Sequence, residues 1–137
     1  PLASEMHEQE DCIALVTAAM RGLGGIDILV NTPTRQIYGM FWMTRAALAH
    51  MEAGAAIINT ASSDRRDQSA EMIHPAATRL FTMGLAKQLA PQRIRVNAIA
   101  PHEAMEHPEE LAPSEVLRAS NGAGFASGRM FGTAAHR

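Results

Sequence analysis

Apolar positions along this chain follow two alternating periods. Between residues 4 and 21, Ile13, Val16 and Met20 recur at helical spacing. Ser4 reads as the N-cap, and Glu5, Glu8, Glu10 and Asp11 fall early, where a helix favours negative charge. Gly22, Gly24 and Gly25 are the expected stop. IDILVN (26–31) is short, β-branched and apolar on both faces, as a buried parallel strand is. Thr32, Pro33 and Thr34 break it. The stretch 37–51 is helical again. Its apolar residues (Ile37, Met40, Phe41, Trp42, Met43, Ala47, Leu48, Met51) cover nearly the whole circumference, so this helix is buried on two sides or sits in an interface. Gly54 closes it, AAIINTAS (55–62) is a second buried strand, and 63–69 is a polar loop.

The next helix is predicted over 75–90, with Pro75 at its first position and Pro91 stopping it. Gly84 within it costs ~1 kcal/mol relative to alanine, which predicts close helix packing there. IRVNAIAP (94–101) is the third strand. A last helix spans 108–119 and ends at Asn121-Gly122, and 128–133 forms a short fourth strand. Helix and strand alternate throughout. That pattern implies an α/β layer with a parallel sheet and right-handed crossovers.

Composition narrows the function classes. A length of 137 residues suits one core. With 47% apolar and 19% charged residues the chain is not disordered. Twelve basic against fourteen acidic residues give a net charge of −2 with no basic block, so nucleic-acid and membrane-surface binding have no electrostatic support. The longest apolar run is too short to span a membrane. One cysteine, Cys12, precludes an internal disulfide and suits a reducing cytoplasm. No basic region followed by an apolar stretch opens the chain, so no signal peptide is expected. Only 4% of residues are aromatic while nine are Met, so the core is built from Ala, Ile, Leu, Val and Met.

Three stretches resemble a known family: GGIDILVN (24–31), FWMTRAALAHMEAGAAIINTASS (41–63) and AATRLFTMGLAKQLAPQRIRVNAIAP (76–101). In this order they are similar to the second half of a short-chain dehydrogenase/reductase (SDR), nearest to glucose/ribitol-dehydrogenase-like bacterial oxidoreductases. Residues 107–120 and 126–129 resemble that family's last helix and the start of its last strand. The resemblance implies a partial Rossmann-like doubly wound parallel sheet, about three to four strands with flanking helices. It also implies NAD or NADP as cofactor, and hydride transfer to or from an alcohol or carbonyl. On this reading residues 1–137 are one truncated domain lacking the N-terminal glycine-rich cofactor half.

The family's chemistry uses an Asn, Ser, Tyr, Lys set. Carried over by position, the Ser falls on Ser62, which matches. The Tyr position is Pro75, the Lys position Arg79 and the Asn position Gln36. Asn31 matches the first residue of the family's NNAG-like turn, and Asn31 and Arg79 are the positions that would face the cofactor. Proline has no ionisable group, so Pro75 cannot transfer a proton. Arg79 keeps its charge above pH 12 and cannot enter a proton relay. His74 adjoins the Tyr position, but one residue along a helix turns a side chain by about 100°. The cluster Gly22-Leu23-Gly24-Gly25 follows a helix and precedes a strand, the wrong context for a phosphate loop. The connection between Asn31 and Ile37 and the segment between Pro101 and His107 are both short for the family.

Other chemistries have less support. No nucleophile-elbow motif surrounds Ser62 to pair it with His74 as a hydrolase. The histidines (His7, His50, His74, His102, His107, His136) lack metal-ligand spacing, so no metal is expected. Cys12 beside Asp11 reads as a small core residue, and Arg65-Arg66 as a solvated loop pair. The expectation is therefore an SDR-type oxidoreductase by descent, catalytically impaired as this chain. The alternatives are a non-catalytic dimerisation or complementation module, or a decayed gene product. Its partners would be a second copy, met through the helices at 37–51 and 75–90, or an N-terminal half.

Overall fold

The computed structural model describes residues 8–32, 37–61, 68–101, 112–120, 122, 124 and 126–132. Helix α1 (Gln9–Leu23) precedes strand β1 (Ile28–Asn31). Then follow α2 (Ile37–Leu48), β2 (Ala56–Thr60), α3 (Gln68–Leu89), β3 (Arg95–Ala100), α4 (Ala112–Ala119) and β4 (Met130–Gly132). The four strands form one parallel sheet in the order β1-β2-β3-β4. The α/β class, the parallel sheet and the alternation match the sequence expectation.

Strand pairing divides the side chains between two faces. Leu29, Asn31, Ile57, Asn59, Val96 and Ala98 share one, because Ile57 pairs with Val96 and Asn31 with Asn59. On that face Cys12 and Val16 of α1, Met43 and Ala47 of α2, and Leu85 and Leu89 of α3 close the core around Ile57 and Val96. Ile58, Asn97 and Ile99 lie on the other face and are also buried. Here Arg95 reaches α4, its guanidinium donating to the carbonyls of Arg118 (2.9 Å) and Ala119 (3.1 Å). That supplies a positive charge and two donors to a helix C-terminus.

Several expectations change. The last crossover is not of the same hand as the others. Strand order runs one way throughout, yet α2 and α3 cover one face and α4 the other. Since α3 already lies over β3, the second face is the one left for α4 to bury. Helix α1 starts at Gln9, with Glu8 extended at its N-cap, and Ser4 is outside the described residues. The glycine stop holds: Gly24 takes a left-handed φ of 73° and donates to the Met20 carbonyl. Helix α2 ends at Leu48, and the chain turns at Ala49–His50. The start of α3 differs most. Its backbone is helical from Gln68, so Pro75 lies inside the helix and not at its first position. Proline cannot donate to the carbonyl four residues back, a defect of roughly 3 kcal/mol in a free helix. The turns beyond it are held by a buried stripe, Thr78, Thr82, Leu85 and Leu89, which fixes the helix on the sheet. Among the described residues Gly84 makes no close packing: a Cβ there would meet none of their atoms within 4 Å. The fourth strand is Met130–Gly132, inside its predicted span. The start of the last helix (108–111) and Asn121 are outside the described residues.

Candidate functional site

In an open parallel sheet, functional groups gather at the carboxyl ends of the strands. At that end of β1 and β2 the chain builds a buried polar chain. Asn31 and Asn59 stand opposite each other in register, and the Asn31 amide nitrogen donates to Asn59 Oδ1 at 2.9 Å. The same nitrogen donates to Thr44 Oγ1 of α2 at 3.0 Å. Asn59 Nδ2 in turn donates to Thr82 Oγ1 of α3 at 3.0 Å. All four side chains are buried. Each such bond contributes about 1 kcal/mol net, and removing one member strands a buried group at a cost of about 1–3 kcal/mol. The chain therefore fixes α2 and α3 against the strand ends.

A second polar junction joins β3 to the approach to β4. Asn97 donates from Nδ2 to the Ala126 carbonyl (2.9 Å) and accepts the Arg129 amide at Oδ1 (3.2 Å). Ser127 Oγ accepts the Val96 amide at 3.0 Å. Asn97 is offset by one residue from the Asn31–Asn59 pair, since it pairs with Ile58, and so it serves the opposite face. The sequence carries a signal for these scaffold residues outside any family motif: three strands each hold an Asn (ILVN, IINT, RVN).

Of the residues singled out by position, Ser62 and Gln36 lie outside the described residues, as do Arg65, Arg66 and the histidines other than His50 and His74. Pro75 is half-buried, and Thr78 and Thr82 follow it on the inward stripe of α3. Arg79, one turn on from Pro75, is exposed. Asn31 is buried with both amide hydrogens engaged by Thr44 and Asn59, so its amide braces the scaffold. Cys12 is fully buried, and burial first, then the Asp11 carboxylate, pushes its thiol up. That is the behaviour of a core residue and not of a thiolate nucleophile. His50 is exposed in the turn after α2. Among the described residues no group of three His, Cys, Asp or Glu could hold a metal, and no helix is long and apolar enough to cross a membrane.

Comparison with known proteins now decides the family. The family profile described as enoyl-(acyl carrier protein) reductase matches residues 33–115. The chain belongs to the short-chain dehydrogenase/reductase family. Relatives of this SDR chain include an uncharacterised oxidoreductase, YhxD, of Bacillus subtilis, 33% identical over 73% of this chain and 42% of the relative. The glucose and ribitol dehydrogenase of Daucus carota is 31% identical over 73% of this chain and 43% of its own length. The chain thus spans less than half the length of the curated relatives it matches. Among solved structures, an SDR glucose/ribitol dehydrogenase from Brucella melitensis superposes with a TM-score of 0.80 at 22% identity, covering 94% of this chain and 71% of that one. An SDR from Sinorhizobium meliloti gives 0.84 at 24%, covering 96% and 69%. At these identities the structures attest the fold.

Family membership brings a nicotinamide dinucleotide into consideration, and the described residues of this SDR chain do not fit one. A phosphate cradle needs a glycine turn leading from a strand into a helix N-terminus. The glycines at 22–25 instead end α1. The Asn31 amide is engaged by the scaffold, and Pro75 carries no hydroxyl.

Proposed function

We propose that this chain descends from NAD(P)-dependent oxidoreductases that move hydride between an alcohol and a carbonyl, and that as written it has little or no activity alone. The observation that carries this reading is Pro75, at the position the family fills with its proton-transferring Tyr. No side chain there can donate or accept a proton. Arg79, at the Lys position, offers charge but no titration near neutral pH. The glycines at 22–25 end α1 and do not lead from a strand into a helix, so they form no phosphate turn. The test is a titration of the full chain with NADH and NADPH followed by nicotinamide fluorescence, with alcohol and aldehyde turnover measured alongside. No saturable binding at micromolar nucleotide and no turnover are expected. Micromolar binding, or turnover of any alcohol or carbonyl, overturns the reading.

A second reading is favoured by a separate observation. Tyr38 and Phe41 on α2, and Leu80 and Met83 on α3, are large apolar side chains left exposed on adjoining helices. Contiguous patches of this kind mark association surfaces. On this reading the chain is a non-catalytic module that meets a like chain through α2 and α3. Sedimentation of the full chain tests it: a cooperative, folded monomer at all concentrations counts against it.

A further inference from the structure

Helices α1 and α2 leave a gap between them. Gln9, Ile13 and Val16 stand at i, i+4 and i+7 on α1, and Trp42, Ala46 and Ala49 at the same spacing on α2. Each set is therefore one stripe, and the two line a groove of about 260 Å³. Ala46 and Ala49 are too short to reach across it, and Ile13 on the facing wall is left 47% exposed. Val16 is buried at its base, and Trp42 is half-buried. The charged groups on the rim have one sign. The exposed Arg45 holds its guanidinium carbon 5.8 Å from the centre of the Trp42 ring, within cation–π range. Among the described residues no carboxylate pairs with it. His50 is pinned by its backbone, which donates to the Ala47 carbonyl (2.9 Å) and accepts the Ile26 amide (3.2 Å), while the residue itself stays exposed. Thr17 uses its hydroxyl hydrogen on the Ile13 carbonyl at 2.7 Å. No Asp or Glu is among the described residues that line the groove, although the chain carries a net charge of −2.

We propose that this groove binds a small aromatic carboxylate, its ring lying along Ile13, Ala46 and Ala49 against Trp42 and its carboxylate taken by Arg45 and His50. The site is separate from the strand ends and from the exposed apolar residues of α2 and α3, so it depends on neither reading above. Each part of the ligand answers a feature of the groove. The aliphatic walls take apolar area, and an indole edge or face favours a second ring beside it. A guanidinium presents two parallel N–H groups that match the two oxygens of a carboxylate. Its seat on the Trp42 ring already restricts it, so less freedom is lost when the ligand arrives. His50 carries an N–H donor in either ionic state. A cation in the groove is repelled by Arg45. A neutral ring covers the guanidinium without giving it an acceptor. The volume sets the size: it falls below the roughly 300–1,000 Å³ of sites for drug-sized ligands, which limits the ligand to one or two rings.

Trp42 is the one tryptophan of the chain, so a single indole N–H signal in a nitrogen–proton NMR spectrum reports on the groove. The experiment titrates the full chain with 1-naphthoate, with its neutral amide 1-naphthamide, and with inorganic phosphate, for wild type, Arg45→Gln and Ala49→Phe. The expected result is a saturable shift of the Trp42 signal by 1-naphthoate with a Kd below ~1 mM. The amide and phosphate should each bind at least ~10-fold more weakly, one lacking the charge and the other the ring. Arg45→Gln should weaken 1-naphthoate ~10-fold and leave the amide unchanged, and Ala49→Phe, which fills the groove, should abolish the shift. Both positions are exposed, so both variants should keep the native spectrum. If either loses it, the three ligands on the wild type still decide. A wild-type signal that does not saturate at millimolar 1-naphthoate overturns the site. An amide as tight as the acid overturns the carboxylate, and phosphate as tight as 1-naphthoate overturns the ring. A folded Arg45→Gln that binds 1-naphthoate as the wild type does, or a folded Ala49→Phe that still shifts, overturns the assignment of the groove.

Discussion

β1 and β2 run side by side in register, residue for residue, from Ile28 against Ala56 to Asn31 against Asn59. Both are apolar and β-branched, and both carry Asn at the paired position, the last of β1 and the last but one of β2. Every residue of β2 is buried. In β1 only Asn31 is; Ile28 is 50% exposed and Val30 39% exposed, both on the face where α4 does not reach. The difference teaches that burial of a parallel strand comes from neighbours on four sides. β2 has a strand on each edge and helices on both faces. β1 has β2 on one edge and α1 and α2 on one face. What anchors β1 at its end is one side-chain pair, Asn31 to Asn59, more than its own apolar residues.

The largest effect should come from truncating the closed strand. Ile57→Ala removes a fully buried side chain between α2, α3 and the sheet, and should destabilise by about 3–4 kcal/mol. Val30→Ala, one strand away and partly in solvent, should cost under about 1 kcal/mol. Chemical denaturation of both variants checks this, and equal losses would mean that β1 is covered as fully as β2.

Next in size is the amide pair. Asn59→Leu cuts the chain at its hub, leaving the Asn31 amide short of an acceptor and Thr82 short of a donor. A loss of about 2–4 kcal/mol is expected, against about 1–2 for Thr44→Val, which removes only one acceptor. In hydrogen exchange the amides of β1 should open well before those of β2 in the wild type, and at a still lower free energy in Asn59→Leu. If β1 amides stay as protected as those of β2 after Asn59→Leu, the side-chain pair is not what anchors the strand.

The smallest effect concerns α1, which covers the face of β1 that is closed. Burial raises the Cys12 thiol above its ordinary 9.0. The folded state therefore holds this proton longer than the unfolded state does. Its contribution is fully present below pH 9.0 and is lost as pH rises from there through the higher folded value. Unfolding midpoints from pH 7 to 10.5 should fall at the alkaline end, and Cys12→Ala should flatten that fall while lowering stability at pH 7. An identical alkaline slope in both proteins would show that α1 does not seal this thiol.

Much of the fold was legible because the signals are local. The strands at 28–31, 56–60 and 95–100 fall inside their predicted spans, since runs such as AAIINTA and IRVNAIA bounded by breakers leave few alternatives. The helix stop at Gly24 was legible for the same reason. Misreadings came where long-range packing overrode a local rule. Pro75 reads as a helix start, but the stripe from Thr78 to Leu89 holds α3 on the sheet and the helix extends back to Gln68. Gly84 reads as a close contact and has none among the described residues. Thr44 and Thr82 carry no signal of their own, because a buried threonine becomes an acceptor only when a strand-end amide is brought beneath it.

The sequence by itself determined the element order, the parallel α/β class, the family and the absence of an ionisable group at position 75, because each of these follows from residue types at fixed spacing along the chain. Tertiary structure alone decided the rest. It put α4 on the face opposite α2 and α3, set Asn31 against Asn59, and left one apolar strand half in water beside another wholly dry. Those outcomes depend on which surfaces other elements have already covered, and a residue's own neighbours in sequence carry no record of that.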